Sequence, residues 1–211
     1  MSVRGRLFIA RHGETVFNAA ARMQGDAPHT PLTRAGFAQA DEIGALLRVR
    51  LGPKPALTLW ASPAGRALQT LAVIAEHLEL DLHSARTDPR LREIDIGLWS
   101  GRLYAEIAAE AGPIVDPAAG LFTCRPPGGE YYDDVAARLQ TWLDETEAEG
   151  GDRLIVMHGM SSRVLRGLLT GVQVREGFAA PIADGIRQGT LVEIASGREI
   201  ILESGDAFEP F

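Results

Sequence analysis

Two short runs of purely apolar residues, at positions 7–10 and 154–157, constrain the fold of this chain more than any other feature. Neither run alternates with polar residues, which is typical of strands that are buried on both faces of a parallel sheet. A third run, at 57–61, ends at Ser62-Pro63, where serine is suited to cap a helix and proline to occupy its first turn. We therefore expect three buried strands, with the first two at the centre of the sheet.

Amphipathic segments separate these runs. Apolar residues recur at helical spacing after residue 63 and within 33–50, 131–149 and 161–170, whereas 190–194 and 199–202 flank a short turn and predict a β-hairpin. Strands that alternate with helices predict one α/β domain over residues 1–211, a three-layer sandwich with a mostly parallel central sheet and helices on both faces. The least regular segment, about 87–122, is expected to form a cap-like insertion over a site or a core edge.

The composition limits the partners and the location of the protein. Its 211 residues, 45% of them hydrophobic, suffice for the core of one globular domain. A net charge of −7 without a run of Lys or Arg predicts no binding to nucleic acid or membrane, so an anionic substrate would need a locally positive pocket. The single cysteine, Cys124, fits a reducing compartment, and no apolar run near the N-terminus is long enough for a signal or spanning segment. We expect a soluble cytoplasmic protein, in which an edge strand or an apolar helix face would be able to support a homodimer.

Histidine and arginine residues follow closely on the three apolar runs. Arg11 and His12 come after the first run, Arg66 shortly after the third, and His158-Gly159 after the run at 154–157. Ligands of α/β sheets bind at the carboxyl ends of the strands, and glycines or helix starts let the backbone approach an anion. The sequence therefore predicts that these side chains meet in a phosphate pocket made without a metal ion.

The same residues suit phosphoryl transfer, which needs an in-line nucleophile and positive charge around the phosphate oxygens. His12 is the candidate nucleophile, because an imidazole with a reference pKa of about 6.5 is largely unprotonated near neutral pH. Arg11 and Arg66 would hold the phosphate oxygens, and a protonated His158 would add a further donor.

A carboxyl group is also needed, to protonate the leaving group and then to activate water. Glu93 is the best candidate, since the charge of a nearby phosphate would favour its protonated form. Glu14 and Asp95 are the rival acids.

In order and content these motifs resemble the histidine phosphatase superfamily, the phosphoglycerate mutase-like group, over about residues 6–169. The matching blocks are Arg11-His12-Gly13-Glu14-Thr15 with Asn18, Gln24-Gly25 with Pro31-Leu32-Thr33, Ser62-Pro63 with Arg66, residues 91–101 around Glu93, Pro127-Gly128-Gly129-Glu130, and His158-Gly159. The resemblance implies a phosphoglycerate mutase-like fold, no cofactor, and a small phosphorylated substrate. It also implies His12 as the phosphohistidine-forming nucleophile, Glu93 as the proton donor, and a further catalytic role for His158. Contacts to the phosphate or substrate would come from Arg11, Asn18, Gln24, Gly25, Arg66 and Gly159.

Two segments depart from the pattern of that family. In segment 26–30, the family usually has an acidic residue shortly before the Pro-Leu-Thr triplet, whereas this chain has Ala27-Pro28-His29-Thr30 and is apparently one residue longer. Met160-Ser161-Ser162 follows His158-Gly159, where small or apolar residues are more common. We expect altered contacts around Gln24 and an altered hydrogen bond near the pocket.

The leading hypothesis is a metal-independent phosphomonoester hydrolase, and two other functions compete with it. A bisphosphoglycerate-dependent phosphoglycerate mutase would tend to have a longer chain and a Glu-Arg-His-Tyr-type acid loop, whereas this loop reads Glu-Ile-Asp-Ile-Gly-Leu-Trp-Ser-Gly. A non-catalytic phosphoprotein-binding module would be expected to lack the nucleophile or an arginine. A metal site is disfavoured because short-range ligand spacing such as His-x-x-x-His is missing.

Overall fold

The computed structural model of the protein describes residues 5–202. Within these residues the strands are β1 Leu7–Arg11, β2 Leu57–Ala61, β3 Arg86–Thr87, β4 Val115–Asp116, β5 Leu121–Phe122, β6 Asp152–Met157, β7 Val174–Arg175, β8 Ala180–Pro181, β9 Leu191–Ala195 and β10 Arg198–Leu202. The α-helices are α1 Val16–Ala19, α2 Arg34–Leu51, α3 Gly65–Leu78, α4 Tyr104–Ala111, α5 Tyr132–Thr146 and α6 Gly159–Thr170. No helix in this part of the chain combines the length and the apolar character that crossing a membrane requires.

The central sheet has six strands in the spatial order β10-β9-β1-β6-β2-β3. Strands β1, β6, β2 and β3 run parallel, and the β9–β10 hairpin adds two antiparallel strands at one edge. The predicted α/β fold with a mostly parallel sheet is therefore confirmed, as are the central places of the first two apolar runs and the C-terminal hairpin.

Alternate side chains of the central strands enter two different cores, which explains why their apolar runs are unbroken. Leu7 and Ile9 of β1 pack in a core with residues of α5 and α6, whereas Phe8 and Ala10 pack in a second core with residues of α2 and α3. All four are at most 1% exposed. Helices thus cover both faces of the sheet, as expected for a three-layer sandwich.

Two helix starts differ from the sequence prediction. Ser62 does not cap α3: its Oγ accepts a hydrogen bond from the Ala64 N–H at 3.3 Å inside the preceding turn, and the helix begins only at Gly65. Helix α6 begins at Gly159 instead of residue 161, with His158 as its N-cap. The earlier start brings the free N–H groups of the first turn of α6 next to the carboxyl end of β6.

The irregular segment 87–122 contains two 3-10 turns, helix α4 and the β4–β5 hairpin. Its first loop is held by close backbone contacts with the turn at 126–129. A Cβ on Gly97 (φ +50°) would lie 2.2 Å from the Pro127 carbonyl oxygen, and a Cβ on Gly129 would lie 2.4 Å from that of Asp95. These glycines let the loop that carries Glu93 lie against the turn that precedes α5.

Candidate active site

A cavity of about 490 Å³ opens at the carboxyl ends of β1 and β6. Seven predicted site residues line it: Arg11, His12, Asn18, Gln24, Gly25, Glu93 and Gly159. The other two, Arg66 and His158, are fully buried beside it, and the His158 ring centre is 5.2 Å from that of His12. Residues from distant parts of the chain are therefore brought together at one place.

The hydrogen bond made by His12 fixes which ring nitrogen is free to react. Its Nδ1 lies 2.7 Å from the Gly13 carbonyl oxygen, which accepts hydrogen bonds and cannot donate one, so Nδ1 carries the proton. The lone pair of the neutral ring is then on Nε2. Burial, followed by the positive charge of Arg66, lowers the pKa of His12 well below its ordinary value. The ring is therefore neutral and nucleophilic at physiological pH.

His158 has the opposite tautomer. Its Nδ1 accepts a hydrogen bond from Arg66 Nε at 3.2 Å, so its proton is on Nε2. That Nε2 is buried and makes no hydrogen bond with residues 5–202. Burial and then Arg66 lower the pKa of His158 well below its ordinary value. The ring can donate to a phosphate oxygen while neutral, so the protonated imidazole expected from the sequence is not required.

These tautomers predict a spectroscopic result. In the phosphate-free protein at pH 6.5, both rings should be neutral, with the proton on Nδ1 of His12 and on Nε2 of His158. Because an unfolded histidine takes up a proton near pH 6.5 and these buried rings do not, their contribution to folding stability should fall as the pH drops below about 6.5. Nitrogen-15 NMR of the histidine rings checks the tautomers, and denaturant unfolding at several pH values checks the stability. A charged ring at pH 6.5, or His12 protonated on Nε2, would contradict the assignment.

Four of the five N–H donors of the Arg66 guanidinium group are hydrogen-bonded within the protein. Its Nη1 donates to the Ala27 carbonyl oxygen (2.6 Å) and to Thr30 Oγ1 (2.9 Å), its Nη2 donates to the Gly25 carbonyl oxygen (2.7 Å), and its Nε donates to His158. Burial lowers the pKa of Arg66 to about 10, so the group stays charged at neutral pH. Residues of the unusual segment 26–30 therefore contact this guanidinium group, and one N–H, on Nη2, has no partner among the described residues.

Arg11 is held differently and offers more of its donors. Its Nη1 donates to the Ile186 carbonyl oxygen at 2.7 Å, whereas its buried Nε makes no hydrogen bond with the described residues. The guanidinium plane packs on Gly159, where a Cβ would lie 3.1 Å from Arg11 Cζ. The absence of a side chain at position 159 gives Arg11 its place in the cavity.

We expect Gly159→Ala to weaken phosphate binding by about tenfold, a loss of about 1.4 kcal/mol, because the new methyl group displaces the Arg11 guanidinium group. Alanine is a better helix former than glycine by up to about 1 kcal/mol, so the melting temperature should not fall in parallel. The inhibition constant of inorganic phosphate and a melting curve measure the two effects. Unchanged phosphate inhibition would show that Arg11 does not hold the anion.

Glu93 contacts the first turn of α6. Its Oε2 accepts from the Met160 N–H at 3.0 Å, and its Oε1 accepts from the N–H groups of Ser161 (2.8 Å) and Ile94 (3.0 Å). These bonds fix the carboxyl group beside Gly159 at the cavity wall.

The two rival acids lie elsewhere. The Glu14 carboxylate accepts a hydrogen bond from Thr33 Oγ1 at 2.7 Å, and Asp95 Oδ1 accepts one from the Gly97 N–H at 2.8 Å. Neither lines the cavity, and Glu93 is the only acidic residue among the described residues that do. The geometry thus favours Glu93 as the proton donor.

Asn18 and Gln24 are hydrogen-bonded to each other and to Thr15, the N-cap of α1. Asn18 Oδ1 accepts from the Thr15 N–H (3.1 Å) and from Gln24 Nε2 (3.3 Å). The Asn18 Nδ2 group makes no hydrogen bond with residues 5–202, so it can donate to an anion in the cavity that it lines.

Sequence reasoning missed several residues of the cavity wall. Among them are Arg22, Tyr104, Arg163 and Ile186, together with residues 117–120. Arg163 had a usable signal, because it lies four positions after Gly159 and therefore on the same helix face. Within residues 5–202 there is no group of three or more His, Cys, Asp or Glu side chains arranged to hold a metal ion.

Comparisons with known proteins identify relatives that are similar in sequence and in fold. The chain is 34% identical over 173 residues to a protein named probable phosphoglycerate mutase GpmB of Erwinia tasmaniensis, covering 79% of this chain and 75% of the relative. Its fold matches the structure of a mycobacterial glucosyl-3-phosphoglycerate phosphatase with a TM-score of 0.75 and 28% identity, over 93% of this chain and 96% of the other. The same mycobacterial phosphatase in complex with inorganic phosphate matches with a TM-score of 0.69 and 27% identity, over 94% and 96% of the two chains.

The match to a protein family extends over nearly the whole sequence. The family model described as histidine phosphatase superfamily (branch 1) matches residues 7–206. This range contains every residue that lines the cavity. The chain is therefore an enzyme that belongs to the histidine phosphatase superfamily, branch 1.

Proposed function

We propose that this enzyme hydrolyses phosphomonoesters through a covalent phosphohistidine on Nε2 of His12, without a metal ion. The observation that carries this proposal is the 2.7 Å hydrogen bond from His12 Nδ1 to the Gly13 carbonyl oxygen, which leaves the Nε2 lone pair free. Arg11 and Asn18 line the cavity, and the buried Nε2 of His158 has no partner among the described residues, so we expect these groups to donate to the phosphate oxygens.

The reaction proceeds in two balanced steps. His12 Nε2 attacks phosphorus, the P–O ester bond breaks, and the departing alkoxide takes a proton from Glu93. Water then attacks the phosphohistidine while the Glu93 carboxylate accepts its proton, and the P–N bond breaks. The products are an alcohol and inorganic phosphate, and Arg11 and Arg66 offset the phosphate charge throughout.

A phosphoglycerate mutase is the second candidate, since two relatives that match by sequence are named probable phosphoglycerate mutase GpmB. Two assays separate the functions: release of inorganic phosphate from p-nitrophenyl phosphate, and conversion of 3-phosphoglycerate to 2-phosphoglycerate with added bisphosphoglycerate. We expect the first reaction to be the faster one. Faster isomerisation would make the enzyme a mutase, and turnover in neither assay would favour a phosphoprotein-binding module.

Treatment with a chelator should leave the rate of p-nitrophenyl phosphate hydrolysis unchanged. The physical reason is that guanidinium groups, rather than a divalent ion, offset the charge of the phosphate in the proposed mechanism. Activity that is lost with chelator and restored by an added divalent ion would overturn the metal-independent mechanism.

The proposed setting is the cytoplasm, with a small phosphorylated substrate and without nucleic acid or a membrane as partner. The net charge of −7 supports the absence of these two partners, because an acidic protein surface repels nucleic acid and anionic membranes. The homodimer stays a prediction, which light scattering of the purified protein would check.

A further inference from the structure

An apolar surface adjoins the phosphate site. The cavity, at about 490 Å³, has room for a ligand larger than a phosphate group. Besides the residues assigned to phosphate binding and proton transfer, its wall includes the side chains of Met23, Ile94, Ile96, Tyr104, Phe122 and Met160. The proposed mechanism uses none of these six side chains. They are available to contact the part of an ester that leaves as the alcohol.

This apolar surface extends up to Glu93, which protonates the leaving group in the proposed mechanism. Ile94 follows Glu93 in the chain, and the backbone N–H of Met160 donates to Glu93 Oε2 at 3.0 Å. The side chains of both neighbours line the cavity. The leaving oxygen must lie beside the Glu93 carboxyl group to receive its proton, so the carbon atoms bonded to that oxygen enter the space next to Ile94 and Met160.

Tyr104, the first residue of α4, adds an aromatic ring to the surface. It lines the cavity and is 41% exposed, so its ring is accessible to a ligand. Burial of the hydroxyl group, followed by the negative charge of Glu93, raises the pKa of Tyr104, and the positive charge of Arg11 opposes this. The hydroxyl group is therefore neutral at physiological pH. The influence of Glu93 and Arg11 also indicates that Tyr104 lies near the groups that bind and protonate the ester.

The side chain of Met160 is held in place from behind the wall. Its Sδ accepts a hydrogen bond from the Tyr132 hydroxyl group at 3.8 Å, and Tyr132 is fully buried. A thioether is polarisable and makes favourable contacts with aromatic rings. Met160 thus presents a fixed apolar group that suits a ring next to the leaving oxygen.

Arg163 holds another part of the wall. Its Nη1 donates to the carbonyl oxygens of Ala119 (2.9 Å) and Gly120 (3.3 Å), and its Nε donates to that of Ala183 (2.9 Å). These bonds tie α6 to the segment 117–120, which contributes a proline and two alanines to the cavity wall. A wall that is fixed before the ligand binds reduces the conformational entropy lost on binding.

We propose that this apolar surface, with Tyr104 as its accessible aromatic member, binds the leaving group, so that the natural substrate is a phosphomonoester of an uncharged alcohol bearing a ring or another bulky apolar group. This inference rests on the proposed phosphatase function and names the substrate class of the same site. Affinity would come from burial of apolar area and from ring contacts with Tyr104. Ile94 and Met160 cannot offset the lost hydration of an ionic group placed beside them.

Three non-hydrolysable phosphonates test the inference: propylphosphonate, 3-phenylpropylphosphonate and 3-carboxypropylphosphonate. They share one alkyl chain and differ in the group at its end. We expect isothermal titration calorimetry to give a Kd at least about tenfold lower for the phenyl compound than for propylphosphonate, with a more negative heat-capacity change. Equal affinity for these two compounds, or tightest binding of the carboxylate, would overturn the proposal.

Substitutions locate the preference on the assigned surface. Tyr104→Ala should lower the preference for the phenyl compound to about threefold, and Met160→Ala should lower it as well, whereas Tyr104→Phe keeps the ring and should retain it. Phe37→Ala is the matched control, because Phe37 is 43% exposed and does not line the cavity, and it should leave the preference unchanged. A preference that survives both alanine variants at 104 and 160 in folded protein would refute the assigned surface.

Hydrolysis of two alkyl esters separates this inference from the proposed function. Propyl phosphate and 3-phenylpropyl phosphate have leaving groups of similar acidity, so the ratio of their kcat/KM values reports on the apolar surface and should be at least about tenfold. Phosphate release that requires His12 reports on the phosphatase reaction. Equal kcat/KM for the two esters would refute the substrate class alone, whereas phenyl-selective phosphonate binding without hydrolysis of either ester would refute the phosphatase function alone.

Discussion

His12→Ala is expected to reduce kcat for p-nitrophenyl phosphate by a factor on the order of 10⁴ or more, because it removes the atom that forms the covalent intermediate. The neighbouring imidazole of His158 cannot replace it, because its Nδ1 is occupied by Arg66 and its Nε2 carries a proton. Steady-state kinetics of the purified variant measure the loss.

Folding should survive this change. The variant loses the hydrogen bond to the Gly13 carbonyl oxygen, at a cost of about 1–3 kcal/mol, and leaves the strand pairing of β1 intact. His83→Ala is the matched control, since His83 is exposed and does not line the cavity, and it should retain full activity. If the melting transition of His12→Ala disappears together with the activity, His12 is a structural residue and the mechanism is wrong.

The central layers of the fold were predictable from sequence because burial on both faces leaves a clear signature. Strands β1 and β6 read as unbroken apolar runs, since their side chains enter two separate cores. The first residues of α3 and α6 were harder to predict from the sequence. Both depend on local hydrogen bonds, such as the one that Ser62 makes within its turn.

The members of the site were predictable, but their bonding was not. His12 and Arg66 stood out because strands deliver them to one edge of the sheet. The tautomer of His158 depends on Arg66, which lies 92 positions away in the sequence, and three N–H groups of Arg66 donate to residues 25–30. Arg163, which lines the cavity, was missed although its position four residues after Gly159 places it on the same face of α6.

Glu93→Gln should produce a loss that depends on the leaving group. For an alkyl phosphate we expect kcat/KM to fall by about 10²–10⁴, because the departing alkoxide no longer receives a proton. For p-nitrophenyl phosphate, whose phenolate departs without protonation, kcat/KM should fall much less. Comparing esters of graded leaving ability measures the difference.

The leaving-group comparison also separates chemistry from structure. Glu93 accepts hydrogen bonds from two backbone N–H groups of α6. Glutamine would place its NH₂ group against one of these donors, so some disturbance of α6 is expected. A structural disturbance slows all esters alike, whereas loss of a general acid does not. Glu14→Gln and Asp95→Asn are the controls, and a leaving-group dependence in either of them, instead of in Glu93→Gln, would move the acid role to that residue.

The second half of the reaction gives Glu93→Gln a distinctive time course. With p-nitrophenyl phosphate, His12 still becomes phosphorylated, but the water that should hydrolyse the phosphohistidine has lost its base. The phosphoenzyme should therefore accumulate, giving a rapid burst of p-nitrophenolate stoichiometric with enzyme, followed by slow turnover. Phosphorus-31 NMR of the acid-labile adduct identifies it, and His12→Ala in the same background should abolish both signals. A burst that persists without His12 would place the covalent phosphate on another residue. The proposed mechanism would then be wrong, because each of its steps depends on the free Nε2 of His12.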